Sequence, residues 1–365
     1  MSTFCKFLTN TRHYTYDVVK PCCWIKDIKF DINDHDGIKQ GFKRLNAVDD
    51  WIPECSYCYD LEAAGTQSPR TQCHSEKIYD EPHDMGDVVK LELQLDEDCN
   101  AACIMCSDFN STTWRKYNEN TVKRPIKIHH TTTVEQRISA VEATIDFETV
   151  RQIHFFGGEP FNTDTHLRII KQVKHPESTN LVYVSNCSVF PDDETIELWK
   201  RFKHVNLACS IDGIGEHFNY LRWPLQWDQV ENNLIKYRSM ISSKFAMNSS
   251  FTGSPLNLYY TDRYISWADE FFADIKFNEY RYKNWFKNPH PVVGTMNLNS
   301  VPPLLEQAIL DKYGSDSRIY RIINEYDPVK YKKFIDYIEY HDQYRKLNFR
   351  QVFPEIAEYF TNDHE

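Results

Sequence analysis

Asp98-Cys99-Asn100-Ala101-Ala102-Cys103-Ile104-Met105-Cys106 sets three cysteines close together in a C-x3-C-x2-C array. The residues before it, Val88-Val89-Lys90-Leu91-Glu92-Leu93-Gln94-Leu95, alternate Leu91, Leu93 and Leu95 with polar side chains, as a strand with one buried face does. The cysteines therefore occupy a loop at a strand end. Three thiolates on so tight a loop can hold three irons of a four-iron cluster and leave the fourth iron open for a ligand. A structural zinc site wants a fourth protein ligand and usually pairs one C-x2-C with another. Packing alone gives no reason for this spacing, which weighs against three merely buried thiols.

About fifty residues further on, Arg151-Gln152-Ile153-His154-Phe155-Phe156 reads as a short buried strand that runs into Gly157-Gly158-Glu159-Pro160. Two glycines let a backbone approach a ligand closely, and Glu159 offers an acceptor for an ammonium group. Alone, this segment would be a turn with a helix start. One strand–helix unit after a cysteine loop, it reads as the other half of a binding site.

The chain around these motifs has 365 residues, with 42 Lys or Arg against 53 Asp or Glu and a formal charge of −11. Hydrophobic residues at 41% and charged residues at 26% describe a globular protein, not a disordered one. The longest apolar run is six residues, Ala101 to Cys106, too short for a transmembrane helix. Met-Ser-Thr-Phe-Cys-Lys lacks a basic stretch followed by an apolar one, so no secretory signal is expected and a cytoplasmic location is. The acidic balance argues against coating nucleic acid. With only 11 glycines and neither phosphate-binding nor dinucleotide-binding glycine loops, triphosphate and nicotinamide chemistry on those loops is not expected. Eleven cysteines are an odd number in a chain too large to need disulfide staples, which favours metal binding.

In these motifs the chain resembles the radical SAM superfamily. The resemblance implies that Cys99, Cys103 and Cys106 hold a [4Fe-4S] cluster whose open iron binds the amino and carboxylate groups of S-adenosylmethionine. Gly157-Gly158-Glu159-Pro160 matches the segment that contacts the cofactor's amino group. Val182-Tyr183-Val184-Ser185-Asn186 is similar to the third strand of the family, and Ser185 and Asn186 to its polar end. Asn206-Leu207-Ala208-Cys209-Ser210-Ile211-Asp212-Gly213 is similar to the fourth, where Ser210 and Asp212 would face the ribose. Asn219-Tyr220-Leu221-Arg222, then Trp227 and Asn232-Asn233-Leu234, resembles a stretch common in the peptide-modifying branch, and makes Arg222 a further cofactor contact. One departure stands out: the residue before the last cysteine is usually aromatic, and here it is Met105. Its polarizable thioether can still cover an adenine face, so altered packing is expected and not loss of binding.

Cys5, the pair Cys22-Cys23 and Cys55-Ser56-Tyr57-Cys58 precede this region, and Cys73 sits alone. A C-x2-C with two distant cysteines suffices for four ligands, and either zinc or a four-iron cluster meets that arithmetic. Pro53-Glu54-Cys55-Ser56-Tyr57-Cys58, followed by Glu62, Gly65, Ser68 and Arg70, resembles the twitch or SPASM class of radical SAM proteins. The resemblance implies a second, auxiliary [4Fe-4S] cluster on Cys5, Cys22 or Cys23, Cys55 and Cys58. Adjacent cysteines rarely both ligate one metal, so one of Cys22 and Cys23 would be structural. The order is unusual, since such modules more commonly follow the barrel. Cys187 and Cys209 are expected in the core.

Three regions follow: an irregular auxiliary arm over 1–84, alternating strands and helices over 85–288, and a helical extension over 289–365. Strands are expected near 88–95, 151–156, 180–185, 204–211, 244–252 and 274–281. Helices are expected near 164–174, 192–203, 228–240 and 262–272, and then at 303–313, 328–347 and 354–360. Thr133-Val134-Glu135-Gln136 has the spacing of a capping box. The fold class is α/β, a partial (β/α)6 TIM-like barrel with chemistry at the carboxyl ends of its strands. The basic segment 115–130, with His129 and His130, reads as a solvated loop; the C-terminal extension, as a packing tail.

The expected function is reductive cleavage of S-adenosylmethionine to a 5′-deoxyadenosyl radical that abstracts hydrogen, with an external electron donor such as flavodoxin or ferredoxin. An auxiliary cluster favours net oxidation of a peptide or protein side chain. Dehydrogenation of a small aminocyclitol-like or nucleotide-like molecule is the alternative within enzymes, and a non-catalytic iron–sulfur protein the alternative outside them. Neither a nucleic-acid nor a membrane partner is expected.

Overall fold

The computed structural model describes residues 5–25, 27–46, 51–74, 76–79, 84, 86–125, 129–273, 290–291 and 296–360. Eight strands share one sheet: β1 Thr11–Thr15, β2 Val18–Lys20, β3 Phe30–Asp31, β4 Lys90–Gln94, β5 Gln152–Phe155, β6 Asn180–Ser185, β7 His204–Ser210 and β8 Phe245–Ser250. Their order is β3-β2-β1-β4-β5-β6-β7-β8. β1 and β4 to β8 run parallel, while β2 pairs antiparallel with both β1 and β3.

From β4 onward, consecutive strands are neighbours, and helices carry the chain back between them, as parallel strands require. Thr112–Tyr117 and Val134–Thr144 join β4 to β5, Thr165–Ile170 joins β5 to β6, and Asp193–Trp199 joins β6 to β7. Gly215–Leu221 and Trp227–Ser239 join β7 to β8, and Thr261–Phe271 follows β8. The capping box is present: Thr133 accepts from the Gln136 amide, and the Gln136 side chain accepts from the Thr133 amide.

Strand alternation sets the layers. Leu91, Leu93, Ile153, Phe155, Leu181, Tyr183, Val205, Leu207 and Met247 pack with helix residues such as Ile138, Val141, Leu167, Val230 and Leu234 in one apolar core. The opposite face is polar. His13, Glu92, His154, Val182 and Asn206 share one register row across five strands, and Val184 on that face is 37% exposed. Helices therefore cover one side of the sheet, and the other carries polar groups. A second apolar cluster gathers Leu256, Leu298, Leu305, Ile309, Phe334, Ile338, Phe349 and Phe353 from the C-terminal helices. Ile104 of the cysteine loop is part of it.

The stretch 1–84 differs from the irregular arm expected of it. β1 lies beside β4 within the parallel array, and β2 and β3 extend the sheet beyond it. The period-two signal was hidden because both faces of Thr11-Arg12-His13-Tyr14-Thr15 carry polar groups, with Thr11, Arg12 and His13 all buried. The strand expected at 274–281 lies outside the described residues. Among them, no helix is long and apolar enough to cross a membrane.

Candidate functional site

Because β4 to β7 are parallel and adjacent, their carboxyl ends share one edge, where open α/β sheets bind ligands. The cysteine loop leaves β4 at that edge, Gly157-Gly158-Glu159-Pro160 leaves β5, Ser185-Asn186 closes β6, and Ser210 and Asp212 close β7.

The two glycines answer to the cysteine loop itself. Gly157 has φ +126, and a Cβ on it would lie 3.0 Å from the Asp96 carbonyl oxygen. A Cβ on Gly158 would lie 2.1 Å from the Asp98 carbonyl oxygen, which only glycine avoids. That closeness lets the Gly158 amide donate to Asp96 O at 3.0 Å and the Glu159 amide to Asp98 O at 2.7 Å. The close approach expected toward a ligand is thus made toward the loop that carries the cysteines. Glu159 is buried and accepts from Ser185 Oγ at 2.8 Å and from the Asn186 amide at 2.7 Å. Burial pushes its carboxyl up to about 7, against those hydrogen bonds. Pro160, with Gly158 and Glu159, lines a cavity of about 320 Å³. Asn100 completes the connection: its Oδ1 accepts from Asn186 Nδ2 at 3.0 Å, and its Nδ2 donates to Ser188 Oγ at 2.8 Å.

Arg222 supplies the positive charge. Its Nη2 lies 2.5 Å from Asp212 Oδ2, and its Nη1 lies 3.8 Å from Cys103 Sγ. Asp212 is fully buried, with its other oxygen accepting from the Thr252 amide at 2.7 Å. Met105 is half-buried between the two apolar clusters, and Ser210 is half-buried opposite Ser250 of β8. The structure thus joins Glu159, Ser185 and Asn186, and separately Cys103, Arg222 and Asp212, on one cysteine loop.

Sequence reasoning missed what holds that loop. Arg345 Nη2 donates to Ala102 O at 2.8 Å, Tyr337 Oη to Ile104 O at 3.0 Å, and Trp114 Nε1 to Cys103 O at 2.9 Å. The first two come from the helix Pro328–Arg345, inside the stretch expected to be a packing tail. His129 and His130 were also misjudged as solvated. His129 Nε2 lies 2.9 Å from Asp108 Oδ1, and His130 stacks on Tyr16 with ring centres 3.8 Å apart.

Burial raises all three thiols, Cys106 to about 12, and Cys103 opposes both Cys99 and Cys106 electrostatically. Such thiols bind metal as thiolates once a cation offsets that cost. Among the described residues, no three or more His, Cys, Asp or Glu side chains converge on one metal ion. A four-iron cluster makes no such demand, since each thiolate takes its own iron. Three soft donors on a loop with a buried guanidinium beside them fit such a group.

A second cysteine set surrounds a cavity of about 560 Å³. Cys5, Cys22, Cys55 and Cys58 line it, with Trp24, Trp51, Tyr57 and Arg70 among the remaining walls. Cys22 is buried, whereas Cys23 is exposed and is not among the lining residues. Burial raises Cys22, Cys55 and Cys58, Cys55 to about 12. Cys5 moves the other way, to about 7, chiefly through its interaction with the neighbouring Cys73 thiol. Cys73, set apart by its spacing, therefore touches this site. Four soft donors around one mostly apolar cavity suit a cluster, in which each thiolate takes its own iron. Cys187 and Cys209 are buried in the core, as expected.

Residues 86–231 match the family model of a 4Fe-4S single cluster domain. Among solved structures, native anSMEcpe with bound AdoMet is 14% identical, with a TM-score of 0.37 over 62% of this chain and 60% of that one. Streptococcus suis SuiB bound to its precursor peptide SuiA is 11% identical, with a TM-score of 0.34 over 88% of this chain and 63% of that one. SuiB bound to S-adenosylmethionine is 12% identical, with the same TM-score and coverage. The chain spans about three fifths of the length of these structures. Likeness this loose carries no weight for the activity. No curated protein matches the chain.

Proposed function

We propose that the chain is a radical SAM enzyme that oxidises a peptide or protein side chain. The observation that carries this reading is the convergence of four segments at the carboxyl ends of adjacent parallel strands: the cysteine loop, Gly157 to Pro160, Ser185-Asn186, and Asp212 with Arg222. On this reading the sheet is a partial (β/α)6 barrel, and Cys99, Cys103 and Cys106 ligate the first [4Fe-4S] cluster. Bound together, that cluster and S-adenosylmethionine supply the reductive cleavage that yields a 5′-deoxyadenosyl radical.

The chain's own groups hold and shape the site. Glu159 ties the end of β6 to the segment after β5, and so fixes where an ammonium group could meet the Gly157–Pro160 backbone. Arg222, held by Asp212, presents its Nη1 to Cys103 and lowers the electrostatic cost of a thiolate there, with Asp212 opposing it in part. Ser210 and Asp212 would face the ribose, and Met105 would cover the adenine. Cys5, Cys22, Cys55 and Cys58 would hold the auxiliary cluster, with Cys23 a bystander. Support for that set is its shared cavity. Support for a peptide substrate is the arm's sequence resemblance. Flavodoxin or ferredoxin would deliver the electron.

Anaerobic incubation of reconstituted protein with dithionite and S-adenosylmethionine is the direct test. Methionine and 5′-deoxyadenosine should form, and replacing Cys99, Cys103 and Cys106 together by Ala should abolish both. Persistent cleavage by the triple variant would overturn the assignment.

A further inference from the structure

We propose that Arg70 sets the charge of the four-cysteine cavity: its guanidinium holds the reduction potential of an iron–sulfur group seated there above the value the thiolates alone would give. The inference rests on the proposal that this cavity is an iron–sulfur site.

Arg70 lines the cavity from the short helix Pro69–His74, and it is buried. A cation in that position needs a counter-charge, and Glu62 provides it. Arg70 Nε donates to Glu62 Oε1 at 3.0 Å, while Nη2 donates to Oε2, a forked pair that fixes the plane of the guanidinium. Ser68 Oγ donates to the same carboxylate at 2.5 Å, so Glu62 is itself held in place. The guanidinium lies over the Trp51 ring, 4.8 Å from its centre. One turn on, Cys73 Sγ donates to the Arg70 carbonyl at 3.1 Å and anchors the backbone. Arg70 interacts favourably with the charge of Cys5 and Cys58, which line the same cavity.

Four thiolates around an iron–sulfur group give the site a net negative charge, and reduction adds one more electron. A fixed cation lining the same cavity as the thiolates stabilises the reduced form over the oxidised one. Glu62 behind the guanidinium and Glu54 on the cavity wall weaken that field, and Arg70 is the cation among the described lining residues. The forked, stacked geometry is what Lys could not reproduce.

The test is a redox titration followed by electron paramagnetic resonance, in the full chain carrying Cys99, Cys103 and Cys106 all replaced by Ala. About four irons per chain should then remain, all in the arm. Dithionite supplies one electron, and no bond or proton is exchanged. Arg70→Gln should keep its iron and lower the reduced-to-oxidised ratio at fixed potential about tenfold, about 59 mV for one electron. Arg70→Lys should lie between. Unchanged potential with iron retained would overturn the role of Arg70 and leave the arm cluster standing. Should Arg70→Gln lose its iron, Glu62→Gln decides: the potential should rise, and an unchanged value refutes the inference. No iron in the parent background would instead remove the arm cluster, and this inference with it.

Discussion

Glu92 is a charge buried on the polar face of the sheet, 3.2 Å from His13 Nδ1 and 3.5 Å from Lys90 Nζ. Burial alone would raise its carboxyl, but the His13 hydrogen bond and the Lys90 charge outweigh it and hold the group at about 2. A depressed carboxyl stabilises the fold at all pH values above the ordinary glutamate range, and that share is lost as pH falls toward about 2. Glu92→Gln should therefore cost about 3 kcal/mol at neutral pH, the price of breaking a buried pair. Its unfolding midpoint should also fall less steeply than the parent's in acid. Parallel acid profiles for parent and variant would refute this account. In the sequence, Glu92 was only the polar half of an alternating strand, because its histidine partner lies in a strand that the sequence did not reveal. Glu159 was legible as an acidic group beside two glycines. Its bond to the end of β6 was not, since nothing local links it to Ser185 and Asn186.

At the scale of elements, the helix Pro328–Arg345 is where sequence reading fell furthest short. Tyr and charge along it suggested a packing tail over the barrel with no obvious catalytic group. Tyr337 and Arg345 instead satisfy two carbonyls of the cysteine loop, and Arg345 also lies over the rings of Trp114, Tyr117 and Trp223. Such bonds span more than two hundred residues, and no period or motif encodes them. The capping box of Val134–Thr144 was legible for the opposite reason, since both of its bonds lie within four residues. Arg345→Ala should leave Ala102 O buried without its donor, at a cost of about 1–3 kcal/mol. It should also speed loss of iron from the loop to a chelator. Iron release at the parent's rate would reduce the helix to a cover.

For the whole molecule, the two cysteine sets are built differently. The arm set draws Cys5, Cys22, Cys55 and Cys58 around one cavity. The loop set is short in sequence but held by Gly158 and Glu159 after β5, Asn186 after β6, Arg222, Trp114 and the C-terminal helix. Reconstituted protein should carry about eight irons per chain, and Cys55→Ala with Cys58→Ala about four. The double variant should still cleave S-adenosylmethionine yet form no oxidised product. Four irons with one zinc in the parent would make the arm a zinc site. Spacing marked Cys99, Cys103 and Cys106 and the pair Cys55 and Cys58, and the resemblance added Cys5 and one of Cys22 and Cys23. It could not tell Cys22 from Cys23, which differ in burial and in whether they line the cavity. The reach of Arg345 back to Ala102 also orders events in time. At roughly 5–20 residues per second, the 243 residues between them take about 12–50 seconds to synthesise. Throughout that interval the nascent loop's Ala102 carbonyl stands without its final donor.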